Sequence, residues 1–168
     1  GNSDTVDIKK IKLNVKSYEI NKDSLDVITT ENLLQNEINK KVLNKLEAWA
    51  WQKFVLEGNE NKAFLNLLKI DTSFIEKSKN KKSILSIIHQ GKEVYKISLH
   101  FDLCINASDS LIKTLMITSS LDFELLNKYS IFQRNKVIIY NVNKLIKLID
   151  ERITSQLHKK DFKKFVIM

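Results

Sequence analysis

The chain has 168 residues, of which 43% are hydrophobic and 29% are charged, a balance typical of a water-soluble globular protein. Its only glycines are Gly1, Gly58 and Gly91, which excludes a glycine-rich phosphate loop and a dinucleotide-binding fingerprint. Cys104 is the only cysteine, so no intrachain disulfide can form. The net charge of +8 comes almost wholly from lysine, which favours a compositional bias over a functional basic surface without excluding the latter.

The N-terminal third begins with a polar stretch. Residues 1–9 predict a flexible tether, and residues 10–168 predict a single domain. Residues 10–18 alternate between apolar and lysine-rich positions, as in a half-buried strand. Residues 19–35 have no clean period and predict a connection over the core, in which Thr29, Thr30 or Asn32 can cap a helix.

A helix is predicted over residues 36–58, where apolar residues recur every three or four positions. Gly58 stands where a left-handed residue would end this helix. Trp51 cannot enter the core together with its near neighbour Trp49, because successive helical residues diverge by about 100°. Trp51 therefore either forms a contact surface or packs under the 19–35 connection. The buried stripe is Ile38, Val42, Leu46, Trp49, Ala50 and Phe54.

Extended segments are predicted next, at residues 63–76, 83–89, 93–105 and 110–120, with a lysine-rich loop at 77–82 and a hairpin turn at Gln90, Gly91 and Lys92. The third segment alternates most clearly, because its odd-numbered positions are apolar and its even-numbered positions are polar. One face of the sheet is therefore wet or loosely covered. The polar positions are Lys96, Ser98, His100, Asp102 and Cys104.

The last third changes to a helical period, from about residue 129 to residue 159. Asp150 and Arg152 are expected to lie off its apolar stripe. The C-terminal segment 158–168 is basic and aromatic and is expected to fray or to dock as a short extra element. The stripe is Val137, Ile138, Val142, Leu145, Ile149, Ile153 and Leu157.

This order of elements predicts an α+β fold. The arrangement β-α-β-β-β, with one further optional strand and a final helix, is best satisfied by a two-layer sandwich. In it, both helices lie side by side on one face of an antiparallel sheet.

Three short motifs occur in the chain: Val15-x-x-Tyr18, Trp49-Ala50-x-x-Lys53-Phe54-x-x-x-Gly58 and Ile70-Asp71-x-Ser73-x-x-Glu76. They resemble motifs of a family of small alphaproteobacterial envelope lipoproteins. The order of elements is also similar to that of lipopolysaccharide-assembly lipoproteins and of auxiliary lipoproteins of lipid-transport systems. The resemblance implies a periplasmic, membrane-tethered location and a protein partner in the envelope, with no catalytic residues to carry over. A cytoplasmic location stays open.

Catalytic, cofactor-binding and metal-binding residues are not predicted. No serine is flanked by glycines as in a nucleophile elbow, and His89, His100 and His158 follow no metal-ligand spacing. We therefore expect a non-enzymatic interaction domain that serves as a partner or lipid-transport accessory. Its expected contact surface is formed by Trp51, Lys96, Ser98, His100 and Asp102.

The alternative is a basic protein that binds nucleic acid or an anionic membrane surface. The C-terminal segment mixes lysines with Phe162 and Phe165, as membrane-surface segments do. A solvated helix end would explain the same composition. The expected contacts are Lys159, Lys160, Lys163 and Lys164.

Overall fold

The structure is a computed structural model that describes residues 6–75 and 91–168. In this part of the chain, two long helices pack against a β-sheet, and the predicted α+β class is confirmed. The elements are β1 (Ile11–Leu13), β2 (Ser17–Asn21), β3 (Asp26–Val27), α1 (Leu33–Lys53), β4 (Phe54–Leu56), β5 (Lys62–Ile75), β6 (Lys92–Asn106), β7 (Ile112–Leu126), α2 (Ile131–Leu157), a 3-10 helix (Lys163–Phe165) and β8 (Val166–Ile167).

The main sheet has the strand order β2-β5-β6-β7, with β3 pairing with β5 beyond β2. β5, β6 and β7 form long antiparallel ladders, as predicted. The prediction of a wholly antiparallel sheet is wrong, because β2 and β3 both pair in parallel with β5. The reason is topological: α1 carries the chain from one end of the sheet back to the other, and strands joined by such a crossover run parallel.

A second, smaller sheet has the order β4-β1-β8. The single strand predicted at residues 10–18 is divided between the two sheets, since β1 pairs with β4 and β2 pairs with β5. The C-terminal segment docks rather than frays: β8 pairs with β1 in antiparallel fashion. Phe162 and Phe165 are buried against the core.

Helix α1 begins at Leu33, three residues earlier than predicted, and its N-cap is Asn32, one of the expected candidates. The Asn32 side chain accepts hydrogen bonds from the backbone N–H groups of Leu34 and Gln35. The predicted C-cap is wrong. The helix ends at Lys53, the chain continues directly into β4, and neither described glycine has a positive φ.

Gly58 has a different role. It lies against the link between β1 and β2, where a Cβ added to this residue would stand 2.4 Å from the Val15 backbone nitrogen. The Gly58 N–H donates to the Val15 carbonyl at 3.1 Å. Only a residue without a side chain fits this close backbone approach.

Helix α2 starts at a capping box, in which Ser130 and Gln133 satisfy each other's backbone N–H groups. Its predicted stripe is buried except for the partly buried Val137. The expectation for Asp150 is wrong, because this carboxylate is 8% exposed and lies in the interior, whereas Arg152 is exposed as expected.

The strand predictions are confirmed at 93–105, and β7 extends six residues beyond the predicted end at residue 120. The segment 83–89, the loop 77–82, Gln90 and Glu76 lie outside the described residues. Of the predicted tether, residues 6–9 are described, and there Val6 and Ile8 pack against the core.

Candidate partner-binding surfaces

Trp51 is the more exposed of the two tryptophans. Its side chain is 64% exposed, whereas that of Trp49 is 1% exposed, as the helical spacing predicts. The Trp51 ring lies edge-on to Tyr18 on β2, with ring centroids 6.3 Å apart. It is therefore not packed under the 19–35 connection as a core residue.

Tyr18 is itself fixed in place. Its hydroxyl donates to the Ala50 carbonyl at 2.9 Å, and its ring also meets Phe54 at 5.4 Å. Burial raises the pKa of the Tyr18 hydroxyl well above its usual value. Trp51 is therefore exposed while it contacts Tyr18, whose position is fixed by a hydrogen bond and by a second aromatic contact.

The polar side chains of β6 form the centre of the sheet face that points away from the helices. Lys96 is exposed, and Ser98, His100 and Asp102 are half-buried. Asn21 donates to Asn66 at 3.1 Å, and Asn66 donates to Asp102 at 2.7 Å, which makes a hydrogen-bonded ladder across β2, β5 and β6. Hydrogen bonds therefore link the polar side chains of this face across three strands.

Two features of this sheet face could not be read from the sequence. The His100 Nε2 atom is buried and has no hydrogen-bond partner among residues 6–75 and 91–168. Met116, which stands opposite Asp102 on β7, is 64% exposed. Ile112, which stands opposite Asn106 on the same face, is 61% exposed. The face therefore offers apolar contacts along β7 beside its polar groups.

The structure does not bring Trp51 and the sheet face together on one surface. Tyr18, which supports Trp51, stands opposite Ala63, whose side chain is buried on the helix side of the sheet. The side chains of β6 alternate between the two faces, and those of Lys96, His100 and Asp102 lie on the face away from the helices. The predicted contact set is thus divided between the β2 edge of the helix layer and the far face of the sheet.

The C-terminal lysines Lys159, Lys160, Lys163 and Lys164 are all exposed. The aromatic residues between them are not available for insertion into a membrane, since Phe162 is 8% exposed and Phe165 is 2% exposed. Lys9, Lys10 and Lys12 line a cavity together with β8, so further cations lie at this end of the molecule.

A buried ion pair connects the two helices, and sequence reasoning missed it. The Lys53 ammonium is fully buried and lies 2.8 Å from Asp150 Oδ1. It also donates to the Lys9 carbonyl at 2.7 Å and to Thr154 Oγ1 at 2.8 Å. Trp49 Nε1 donates to the same carboxylate oxygen at 2.8 Å. All three donors of the ammonium are used, so the cluster is structural.

The signal for this pair was present in the sequence. Lys53 follows Trp49 by four residues and Asp150 follows Ile146 by four, so each lies on the apolar stripe of its own helix. A lone cation on one buried stripe and a lone carboxylate on the other indicate a pair.

Within the described ranges, no three His, Cys, Asp or Glu side chains stand close enough together to hold a metal ion. Cys104 is half-buried on the polar face and accepts a hydrogen bond from Thr114 at 3.7 Å. Neither described helix is both long enough and apolar enough to cross a membrane.

Comparisons with known proteins give no family. No protein-family profile matches the chain, and no curated protein matches it. Similar solved structures include a minor lipoprotein from Acinetobacter baumannii, with a TM-score of 0.41 and 12% identity over 86% of this chain and 91% of that one.

Two further similar structures are equally distant in sequence. Rare lipoprotein B from Shewanella oneidensis has a TM-score of 0.40 and 9% identity, covering 83% of this chain and 92% of that one. A hypothetical protein from Chlamydia trachomatis has a TM-score of 0.34 and 12% identity, covering 83% and 95%. At these values the similarity assigns neither a family nor a function.

Proposed function

We propose that this protein is a non-enzymatic interaction domain of the bacterial cell envelope that docks onto a partner protein. The supporting observation is Trp51, a large aromatic side chain that is 64% exposed while its support, Tyr18, is anchored to the Ala50 carbonyl. Exposed tryptophans held in one position lose little conformational entropy on binding and are enriched among the residues that dominate interface energetics.

The polar sheet face supplies the second contact region of the proposal. The ladder from Asn21 through Asn66 to Asp102 fixes the direction of its hydrogen-bonding groups before a partner arrives. Because Trp51 and this face do not share one surface, a single partner has to wrap around the β2 edge, or two partners bind separately. The envelope location is supported by the sequence motifs and is part of the proposal.

Site-specific crosslinking tests the role of Trp51. A photoreactive phenylalanine analogue is placed at position 51 in cells of the producing bacterium and, as a control, at Phe132, which is 67% exposed on the other helix. We expect a defined protein adduct from position 51 only, recovered from the envelope fraction. The same adducts from both positions, or recovery from the cytoplasm alone, would contradict the proposal.

The purified partner then allows a quantitative test. Truncating a residue that dominates an interface costs at least about 2 kcal/mol, so Trp51→Ala should weaken binding roughly 30-fold if Trp51 has that role. The melting temperature should change little, because the side chain is largely exposed. If Trp51→Ala lowers stability as much as it lowers affinity, the residue is part of the core instead.

A second candidate function is binding to an anionic surface through the basic end of the molecule. The observation in its favour is that Lys159, Lys160, Lys163 and Lys164 are all exposed on a docked segment close to Lys9 and Lys10. Affinity for anionic vesicles or duplex DNA should then fall steeply with salt and fall further when the four C-terminal lysines are replaced by alanine. No binding at low salt removes this candidate.

A further inference from the structure

Strand β7 forms one edge of the main sheet, and among residues 6–75 and 91–168 no strand pairs with its outer side. In an antiparallel ladder, alternate residues bond to the neighbouring strand, and the residues between them direct their N–H and C=O groups away from it. Two hydrogen bonds at the ends of the β6–β7 ladder identify the bonded set. The Ala107 N–H donates to the Leu111 carbonyl at 2.7 Å, and the Asn127 N–H donates to the Gly91 carbonyl at 2.6 Å. The odd-numbered residues of β7 therefore bond to β6, and the even-numbered residues face the free edge.

Arg152 on α2 independently indicates the same polarity. Its guanidinium donates to the Thr118 carbonyl, which therefore points away from β6. The other backbone groups of this edge between Ile112 and Asp122 have no hydrogen-bond partner in the described part of the chain. A row of unpaired N–H and C=O groups is a template for a further strand.

The side chains along this edge do not oppose pairing. Natural edge strands are commonly protected by lysines, proline, bulges or short length. β7 spans 15 residues without a shift in its register with β6, and the chain contains no proline. Its only lysine, Lys113, is odd-numbered and lies at the beginning of the strand, and its acidic residues, Asp122 and Glu124, lie toward the end. The even-numbered side chains between these ends are uncharged and exposed: Ile112, Thr114, Met116, Thr118 and Ser120.

The position of α2 determines what fits against this edge. Helix α1 packs on β5, and α2 packs on β7. Helix α2 runs back along β7, because Arg152 lies about 32 Å along the helix from Ile131 and its partner Thr118 lies about 27 Å along the strand from Leu126. A helix with its side chains is about 10 Å wide, and neighbouring strands are about 4.8 Å apart. Helix α2 therefore extends over the position one strand beyond β7.

This overhang selects a single strand as the occupant. A second copy that paired through its own β7 would place its α2 about 5 Å from the first, whereas packed helices need about 8–10 Å between their axes. A segment with no helix of its own above it fits instead, with alternate side chains beneath α2. On that side, Leu121 is partly buried, and Leu148, one turn from Arg152, is 39% exposed. Apolar side chains of the added strand are therefore favoured beneath α2.

We propose that the free edge of β7 binds one extended segment of a partner protein by antiparallel strand addition. Over about seven residues, this segment alternates between apolar side chains beneath α2 and small uncharged side chains on the outer face of the sheet. Backbone groups of Thr114, Met116, Thr118 and Ser120 hold it, and Arg152 leaves the Thr118 carbonyl when it binds. The proposal goes beyond the docking function above, because neither Trp51 nor the polar side chains of β6 carry it.

Hydrogen exchange of the full chain, followed by NMR, tests the free edge. In the free protein, the amides of Thr114, Met116 and Ser120 should exchange fast, and those of Leu115 and Ile117 should exchange slowly. The probe is an acetylated and amidated peptide of alternating threonine and valine over seven residues, followed by two lysines for solubility. Its addition should protect the three even-numbered amides. If these amides are already protected in the free protein, the edge is occupied by the protein itself and the proposal is overturned.

Two methylated forms of the probe distinguish strand addition from nonspecific attraction. In the proposed pairing, the threonine N–H groups face β7 and the valine N–H groups face away from it. Methylation of three threonine nitrogens should therefore weaken binding at least tenfold. Methylation of the three valine nitrogens adds the same number of methyl groups and should leave the affinity unchanged. Equal losses for the two peptides overturn the proposal.

The role of Arg152 is tested with a matched pair of variants. Because its hydrogen bond to the Thr118 carbonyl competes with the peptide, Arg152→Ala should bind the probe about threefold more tightly. Lys147→Ala removes the same charge from the side of α2 that faces Val6 and should bind like the parent protein. Equal affinities of the two variants contradict the role of Arg152. Trp51→Ala should leave peptide binding unchanged, so a failure here is distinguishable from a failure of the proposed docking function.

Discussion

Gly58 shows how one residue can be recognised as important in the sequence for the wrong reason. Its position after an apolar helical stripe is typical of a C-cap glycine. In the structure its backbone instead touches the link between β1 and β2, because α1 ends five residues earlier at Lys53. The contact is between segments that are distant in sequence, and no local pattern reports it.

A matched pair of substitutions tests this role. Gly58→Ala places a methyl group against the Val15 backbone, which cannot rotate away, so the free energy of unfolding should fall by about 1–3 kcal/mol. Gly91→Ala meets no atom within 4 Å and should change stability much less. Urea denaturation of both variants measures the difference. Equal stability of the two would show that the Gly58 site relaxes without cost.

At the scale of the elements, the pairing of α1 with α2 depends on the cluster of Lys53, Asp150 and Trp49. Removing one partner of a buried ion pair leaves an uncompensated charge and typically costs about 3–5 kcal/mol. We therefore expect Lys53→Met and Asp150→Leu each to lower the free energy of unfolding by about that amount. The double variant should be more stable than the sum of these two losses implies, because it leaves neither charge unpaired.

The control for this experiment is an ion pair outside the interior. Lys22 and Glu47 lie 3.2 Å apart at the surface, and surface pairs contribute little to stability. Lys22→Met should thus unfold at nearly the parent's urea concentration. If Lys53→Met were no more harmful than Lys22→Met, the buried cluster would not stabilise the helix pair.

The elements also show what the sequence could and could not predict. The two amphipathic helices and β6 were predicted because their apolar residues recur with the period of the element itself. Residues 10–18 were interpreted as one strand, although the apolar positions change from odd-numbered in β1 (Ile11, Leu13) to even-numbered in β2 (Tyr18, Ile20). That change of phase coincides with the division between the two sheets. Trp51 could be singled out from helical geometry.

For the whole molecule, alkaline pH provides a test of how Tyr18 is held. Its pKa is raised in the folded state by burial, so the folded protein keeps this proton after the unfolded chain has released it. The stabilising contribution is complete below about pH 10, the pKa of an unfolded tyrosine, and is lost as pH rises toward the higher folded value. Above pH 10 the loss is up to about 1.4 kcal/mol per pH unit.

The measurement is urea denaturation at about pH 9 and pH 11. The free energy of unfolding should fall less between these two pH values for Tyr18→Phe than for the parent protein. Tyr140→Phe, at a site that is 66% exposed, should decline as the parent does. An unchanged decline in Tyr18→Phe would show that the hydroxyl ionises freely in the folded protein.

The Lys53 ammonium also has a mechanical consequence. By holding the Lys9 carbonyl, it fastens the N-terminal segment to the interface between the two helices. A pulling force applied at residue 6 would act on this buried hydrogen bond and not on an unattached terminal segment. If the chain is attached to a surface through its N-terminal segment, buried contacts between the two helices would therefore bear the force.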